Sequence, residues 1–194
     1  DQLSIDVTDE GVGSGQILFR FSNTGPVASS LTDVYFDIVD FGGDDGGLLS
    51  FSNFIPDPVQ VVAFSSPAKP ENLPGADLLS PAFDTSGGFS ADSDSPPPLY
   101  GVNPGESLGI IFDLQGEKTI GDVVDAIYVG FDPGENFDYE AGEWLEDSLR
   151  IGVHVQSIGD GAYSQSYILT PIPGAAILGL LGLTLAGVKL RRFA

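Results

Sequence analysis

The sequence contains no cysteine and no methionine, and it has one histidine and one tryptophan. The absence of cysteine excludes disulfides and thiolate chemistry from all 194 residues. A single histidine without cysteine argues against a zinc site, because proteins hold zinc mainly with these two residue types. Methionine is missing even at position 1, where the chain already has a strand pattern, so we expect that a secretory signal has been removed.

Basic residues are also scarce. Residues 1–169 contain all 28 acidic residues and only four of the seven basic ones, a net charge of −24, whereas residues 170–194 carry +3. Such a negative body repels nucleic acid and anionic lipid, so we expect no nucleic-acid partner. Hydrophobic residues make up 42% of the chain and include 13 phenylalanines, which indicates a folded core despite the charge.

Alternation of apolar and polar residues recurs along the first 169 residues and predicts β-strands. The clearest runs are residues 3–7, 17–22, 31–39, 107–114, 149–155 and 163–169. Residues 65–107 are rich in Pro, Ser, Gly and Asp and predict a long ordered loop with short edge strands. About eight strands at this spacing predict an all-β chain, with a single acidic β-sandwich of jelly-roll type over residues 1–169.

One segment of the body has a helical pattern. Thr119 is placed to cap a helix over residues 120–128, with Asp122 in its first turn. The β-branched pair Val123 and Val124 favours a strand instead. Of the two interpretations, we prefer the helix.

The C-terminal residues 170–194 differ from the body. An apolar run from Gly174 to Val188 ends in a basic stop of Lys189, Arg191 and Arg192. As a helix the run is roughly 22 Å long, short of the roughly 30 Å hydrocarbon core of a bilayer. We therefore expect a hydrophobic α-helix that either spans a membrane, extended by snorkelling side chains, or is buried among protein neighbours. The positive-inside rule places the basic stop in the cytoplasm and the body outside.

Small residues form a stripe along this predicted helix. Ala175, Gly179, Gly182 and Ala186 are spaced 4, 3 and 4 residues apart, which puts them on one helix face. Such a stripe permits close approach of two helix backbones. The alternative is that Gly and Ala are simply frequent in apolar tails.

The end of the chain resembles the PEP-CTERM sorting signal of bacterial surface proteins. Pro171, Ile172 and Pro173 stand in the place of its short proline motif, as a Pro-Ile-Pro variant of the commoner Pro-Glu-Pro, and the apolar helix and basic stop follow. The resemblance implies export, contact with the membrane and an exosortase-type protease, and residence at the cell surface or in the extracellular matrix. Residues 32–37, 90–94, 101–105 and 149–156 resemble a module that recurs in PEP-CTERM proteins.

Acidic loops supply the candidate metal ligands. Calcium takes six to eight oxygen ligands, and two groups of residues could provide some of them. These are Asp92 and Asp94, and Asp132, Glu135 and Asp138. With 28 acidic residues, clusters arise by chance, so solvated loops are the simpler interpretation.

Two single residues were candidates for other chemistry. Trp144, between Glu143 and Glu146, is a candidate platform for stacking a sugar, although a residue that covers the sandwich edge fits the pattern better. His154 shares its predicted strand face with Arg150, and the chain has no Gly-x-Ser-x-Gly nucleophile motif. We therefore interpret His154 as a hydrogen-bonding residue of a sheet face and predict no catalytic residues.

These observations predict a non-enzymatic, secreted structural protein of the bacterial cell surface or extracellular matrix. The C-terminal helix would anchor it or assemble it as a homo-oligomer such as a filament or sheath subunit. No cofactor is required, and calcium is an optional ligand. The alternative is a carbohydrate-binding module for extracellular polysaccharide.

Overall fold

A computed structural model describes residues 2–40, 47–57, 61–160 and 163–169. This part of the chain is mostly β, as the alternation predicts, and contains eleven strands and two α-helices. The strands are β1 (Leu3–Thr8), β2 (Gln16–Asn23), β3 (Ser30–Val39), β4 (Leu49–Pro56), β5 (Phe64–Ser65), β6 (Phe89–Ser93), β7 (Glu106–Leu114), β8 (Phe137–Asp138), β9 (Glu143–Trp144), β10 (Ser148–Ile158) and β11 (Tyr163–Ile168). The helices are α1 (Pro97–Tyr100) and α2 (Ile120–Phe131), with 3-10 turns at Ala76–Leu78 and Gly134–Asn136.

Four strands form an antiparallel sheet in the order β1-β2-β7-β4. Strand β2 follows the predicted alternation, because its apolar residues Ile17, Phe19 and Phe21 are completely buried on one face. Phe19 lies opposite Ile110 of β7, which is also completely buried. Strands β1 and β4 are the edges of this sheet.

Five strands form a second antiparallel sheet in the order β11-β10-β3-β6-β5. Strand β3 pairs with β10 along nearly its whole length, and Asp37 lies opposite Arg150 while Asp33 lies opposite His154. The register shifts just after His154, at a bulge. Strands β8 and β9 form a separate two-stranded sheet.

The two larger sheets contribute to one hydrophobic cluster. Phe36 of β3 is completely buried and contacts aromatic rings from two strands of the four-stranded sheet. Its ring centroid is 5.1 Å from that of Phe19 and 5.0 Å from that of Phe112. Edge-on and tilted contacts of this kind suit aromatic rings, which add attraction beyond the burial of their area.

The opposite face of β3 and β10 is covered by residues 66–87, which we name the covering segment. Leu73 and Phe83 from this segment pack with Tyr35 of β3 in a second buried cluster. Gly152 of β10 makes room for them, because a Cβ atom there would lie 2.9 Å from Leu73 and 3.2 Å from Phe83. The predicted ordered loop is thus confirmed, but the expectation of edge strands is wrong for β6, which pairs on both sides with β3 and β5.

The predicted helix is present as α2, and it extends three residues beyond the expected end to Phe131. Thr119 is its N-cap in a capping box, in which the Asp122 carboxylate accepts a hydrogen bond from the Thr119 backbone N–H at 2.7 Å. This arrangement satisfies donors that the first turn leaves unpaired, so it outweighs the β-branched residues that favoured a strand. These backbone and side-chain hydrogen bonds lower the pKa of Asp122.

The C-terminal helix predicted for residues 170–194 lies outside the residues that the structure describes. Within the described ranges, none of the helices has the length and apolar character needed to cross a membrane.

Two glycines of α2 provide a test of its packing on β10. A Cβ atom on Gly130 would lie 2.5 Å from the backbone oxygen of Leu149, whereas one on Gly121 would come no closer than 3.4 Å to Thr119. Alanine favours a helix over glycine by about 1 kcal/mol at either position. We expect Gly130→Ala to destabilise the protein by about 1–3 kcal/mol nonetheless, because backbone must shift to admit the methyl group.

Gly121→Ala is the matched control, and we expect it to leave stability unchanged or raise it. Chemical denaturation of both variants measures the difference. Equal stabilities of the two variants would contradict the close approach of α2 to β10.

Candidate functional site: an apolar groove at the end of β11

The groove begins at β1, an edge strand. Leu3, Ile5 and Val7 alternate with polar residues and turn toward the core, yet they are only partly buried. Strand β1 pairs with β2 alone among the described strands, so it lies at the rim of the sheet. Its apolar face therefore forms one wall of an open groove.

Helix α2 forms the opposite wall. Val123, Ala126 and Gly130 are its buried residues, spaced 3 and 4 apart, and they are the helix face that packs against β10. A second apolar row, which includes Val124, Ile127 and Phe131, follows the same helical spacing and lines the groove. Phe131 is 48% exposed and the neighbouring Tyr128 is 44% exposed. The helix thus has two apolar faces, of which the second is only partly covered in the described part of the chain.

Strand β10 supplies the floor, through Leu149, Ile151, Val155 and Ile158. The groove has a volume of about 1180 Å³, and most of its lining is aliphatic or aromatic. The polar part of the lining is limited to Gln2, Ser4, Ser29, Arg150 and two tyrosines, so the groove suits an apolar ligand better than an ion or a sugar.

Leu169, the last described residue, lies in this lining. Its backbone N–H donates a hydrogen bond to the Ile151 oxygen at 2.9 Å, which extends the pairing of β11 with β10 by one step. The chain therefore leaves the described structure at the groove itself. The predicted site residues of the tail, from Pro171 to Arg192, follow directly and lie outside the described residues.

A second polar arrangement lies beneath the covering segment. The Arg150 guanidinium donates to Asp37 through Nε at 2.9 Å and also through Nη2, and it donates to the Pro81 oxygen at 2.7 Å and to the Ala82 oxygen. The two charged side chains are only 8% and 4% exposed. Burial raises the pKa of Asp37, while Arg150 and the Asp84 backbone N–H oppose that rise.

His154 lies on the same sheet face, where its Nδ1 is 3.1 Å from Asp33 Oδ2. Thr32 donates to that same oxygen at 2.6 Å. Tyr35 donates to the other Asp33 oxygen and to the Pro70 backbone oxygen, and burial, with the Asp33 charge as a second cause, raises the pKa of its phenol. The prediction that His154 is a hydrogen-bonding residue of a sheet face is confirmed.

Three of the predicted calcium ligands accept hydrogen bonds from other groups of the protein. Asp92 accepts from the Lys69 backbone N–H at 3.2 Å, and burial raises its pKa, while Asp94 accepts from Ser65 at 2.8 Å. Asp138 accepts from two backbone N–H groups, which lower its pKa. Asp132 ends α2 and Glu135 lies in the following 3-10 turn. Among described residues, no three acidic or histidine side chains form a group fit for a metal ion.

Trp144 is only 6% exposed. Its ring packs against Phe137 at a centroid distance of 5.2 Å, and the Arg150 guanidinium lies 5.3 Å from its centroid. This packing leaves little free ring surface on which a sugar could stack.

The groove is not among the features predicted from the sequence, although helix α2 carries a signal for it. Ile120, Val124, Ile127 and Phe131 are spaced 4, 3 and 4 apart, beside the buried row of α2. A helix that is apolar on two faces usually has neighbours on both.

Comparison with known proteins gives no match: no family model, no curated protein and no solved structure resembles the chain significantly. The resemblance to the PEP-CTERM signal therefore depends on the motif in residues 170–194 alone.

The Arg150–Asp37 pair allows a test of the polar arrangement. We expect Arg150→Met to destabilise the protein by about 3–5 kcal/mol, because it leaves the Asp37 carboxylate and two backbone oxygens buried without a cation. The double variant Arg150→Met/Asp37→Leu should lose less free energy of unfolding than the two single variants lose in sum. Denaturant unfolding of the four proteins in the cycle measures the coupling.

The loss in Arg150→Met should depend on pH. Without Arg150 the folded pKa of Asp37 rises further above its unfolded value, so between these two pKa values the folded state binds more protons than the unfolded state. Stability is then lost as the pH rises above the unfolded pKa, and the cost of the substitution is smaller near pH 4 than at pH 7.

Lys118→Met is the control, since the Lys118–Asp147 pair is more exposed and should contribute no more than about 1 kcal/mol. Equal losses of stability in Arg150→Met and Lys118→Met would show that burial of the ion pair does not determine the cost of removing its cation.

Proposed function

We propose that this chain is a non-enzymatic structural protein of the bacterial cell surface or extracellular matrix, exported and then held in place through residues 170–194. The observation that carries the proposal is the three-part tail: the Pro-Ile-Pro motif, the apolar run and the basic stop. A segment of this kind needs lipid or protein around it, and the basic residues fix its orientation in a membrane. In this proposal an exosortase-type protease recognises the tail during export.

We further propose that residues 1–169 form a single acidic β-sandwich of jelly-roll type. The shared cluster of the two sheets supports this, because side chains of both meet at Phe36. The strand pairs β3–β10, β4–β7 and β5–β6 are nested in the chain and alternate between the two sheets, as expected when a long hairpin wraps around a core. The net charge of −24 keeps such bodies apart unless another segment holds them together.

The small-residue stripe is the proposed contact between copies. Ala175, Gly179, Gly182 and Ala186 allow two helices to approach closely, and the resulting oligomer would be a filament or sheath subunit array. No cofactor is needed for this role, and calcium remains a candidate ligand of the acidic loops.

A carbohydrate-binding role is the second candidate. It is favoured by exposed tyrosines rather than by Trp144, since Tyr163 is 72% and Tyr139 is 58% exposed. Aromatic side chains at the surface offer rings on which an extracellular polysaccharide could stack. Loss of polysaccharide binding in Tyr139→Ala or Tyr163→Ala, with binding retained in a surface Ser→Ala control such as Ser50→Ala, would support this role.

Removal of residues 171–194 tests the surface location. We expect the truncated protein to leave the envelope and appear in the growth medium of the native host, because the segment that holds it is gone. Immunoblots of cell, envelope and medium fractions measure the change, with Ser50→Ala in the full chain as a control that keeps its location. A truncated protein that stayed in the envelope would contradict the proposal.

Bulky residues in the stripe test the assembly. We expect Gly179→Phe/Gly182→Phe to abolish or strongly reduce the oligomer, because phenyl rings prevent the close approach of two helices. Ile177→Phe/Leu180→Phe is the matched control, with the same number of rings at the same spacing on another helix face. Light scattering on the purified proteins reports the particle mass, and unchanged particles in the glycine variant would exclude the stripe as the contact.

A further inference from the structure

The groove leaves apolar surface without a partner in a body that is otherwise strongly charged. Phe131 and Tyr128 are about half exposed on one wall, and the apolar face of β1 is partly open on the other. Contiguous apolar patches of this kind mark binding sites in most proteins. An occupant of this groove must therefore be apolar.

We propose that the groove binds the apolar run Gly174–Val188 of the same chain. The run begins five residues after Leu169, which itself lines the groove and is hydrogen-bonded to Ile151. The run is free of ionisable residues, which suits a lining that is mostly aliphatic and aromatic. Groove and run therefore match in both position and chemistry.

The dimensions agree with this assignment. Strand β10 lines the groove from Leu149 to Ile158, a distance of roughly 30 Å at about 3.3 Å per residue. The helix predicted for the run is roughly 22 Å long and 10 Å wide, a volume of roughly 1700 Å³. A groove of about 1180 Å³ would thus enclose the inner side of that helix and leave its outer side at the surface.

The short connection favours the chain's own run over that of a neighbour. Residues 170–173 span at most about 14 Å when extended, which is enough to return Gly174 to the groove. A tether of this length gives an effective concentration in the millimolar range, well above the concentration of other copies in dilute solution. The prolines at 171 and 173 suit a turn at this point, because neither can continue the β11 ladder.

Docking also leaves the proposed contact between copies free. Leu178, Leu181 and Leu185 lie on a different helix face from the small-residue stripe. With the leucines in the groove, the stripe remains accessible to a second molecule. The inference rests on the proposed function only in taking residues 174–188 as an apolar segment that needs a partner.

Disulfide trapping in the full chain tests the docking, since the natural sequence has no cysteine. Val124→Cys on the groove wall is combined in turn with Leu178→Cys, Leu181→Cys and Leu185→Cys. Under mild oxidation without detergent, we expect at least one of these pairs to form an intramolecular disulfide. The control pairs the same tail cysteines with Leu78→Cys, at a position that is 85% exposed. We expect the groove disulfide to form at least about tenfold faster than the control disulfide. Non-reducing gels and mass spectrometry of the linked peptides identify the product.

Mixtures of singly substituted chains distinguish the source of the run. Disulfides formed only between a Val124→Cys chain and a Leu181→Cys chain would overturn docking within one molecule and would show exchange of tails between copies. The absence of any groove disulfide in all three pairs would overturn the inference altogether. Either result would leave the surface role intact, because that role is decided by the fractionation of the truncated protein.

Discussion

Burial of the β3–β10 pair on both faces is the constraint on which the rest of the structure depends. One face carries Phe36 and the other core residues, and the opposite face carries Asp37 and Arg150 beneath the covering segment. Charged groups inside a protein must be paired and hydrogen-bonded, because their desolvation is costly. The Arg150 guanidinium meets this requirement by binding Asp37 and two carbonyl oxygens together.

The elements that depend on local pattern were predictable from the sequence. Alternation located β2, β3, β7 and β10, and a threonine cap with Asp122 three residues later located the start of α2. These signals are local because a strand or a helix start is determined by neighbours within a few residues.

The covering segment and the groove depend on contacts that are distant in sequence. Asp33, Tyr35 and Asp37 alternate with apolar residues, which is typical of a solvent-facing side, yet all three are buried. Residues 66–87 bury them without any periodicity of their own, since prolines and short turns determine their course. The groove likewise arises where β1, α2 and the end of β11 meet, and none of these segments alone indicates the others.

The charge of the body and the apolar character of the tail have opposite effects on association. Residues 1–169, with a net charge of −24, repel other copies of themselves and anionic surfaces. Residues 174–188 favour contact with an apolar partner. In the proposed function, association therefore takes place through the tail, and the acidic surface of the body remains hydrated.

The link from Arg150 to the covering segment has a consequence for local opening. This segment has no sheet pairing of its own between Ser66 and Gly87, and one side chain joins its Pro81 and Ala82 backbone to the centre of the five-stranded sheet. Buried side chains such as Leu73 and Phe83, and hydrogen bonds from the Ala68, Lys69 and Asp84 backbone N–H groups, also hold the segment on the sheet. A segment that is fastened by side chains and not by a strand ladder tends to detach as a unit rather than residue by residue. Hydrogen exchange at the backbone N–H groups of Ala68 and Asp84, which donate to Ser90 and Asp37 of the sheet, would then report the detachment of the segment well before the sheets themselves separate.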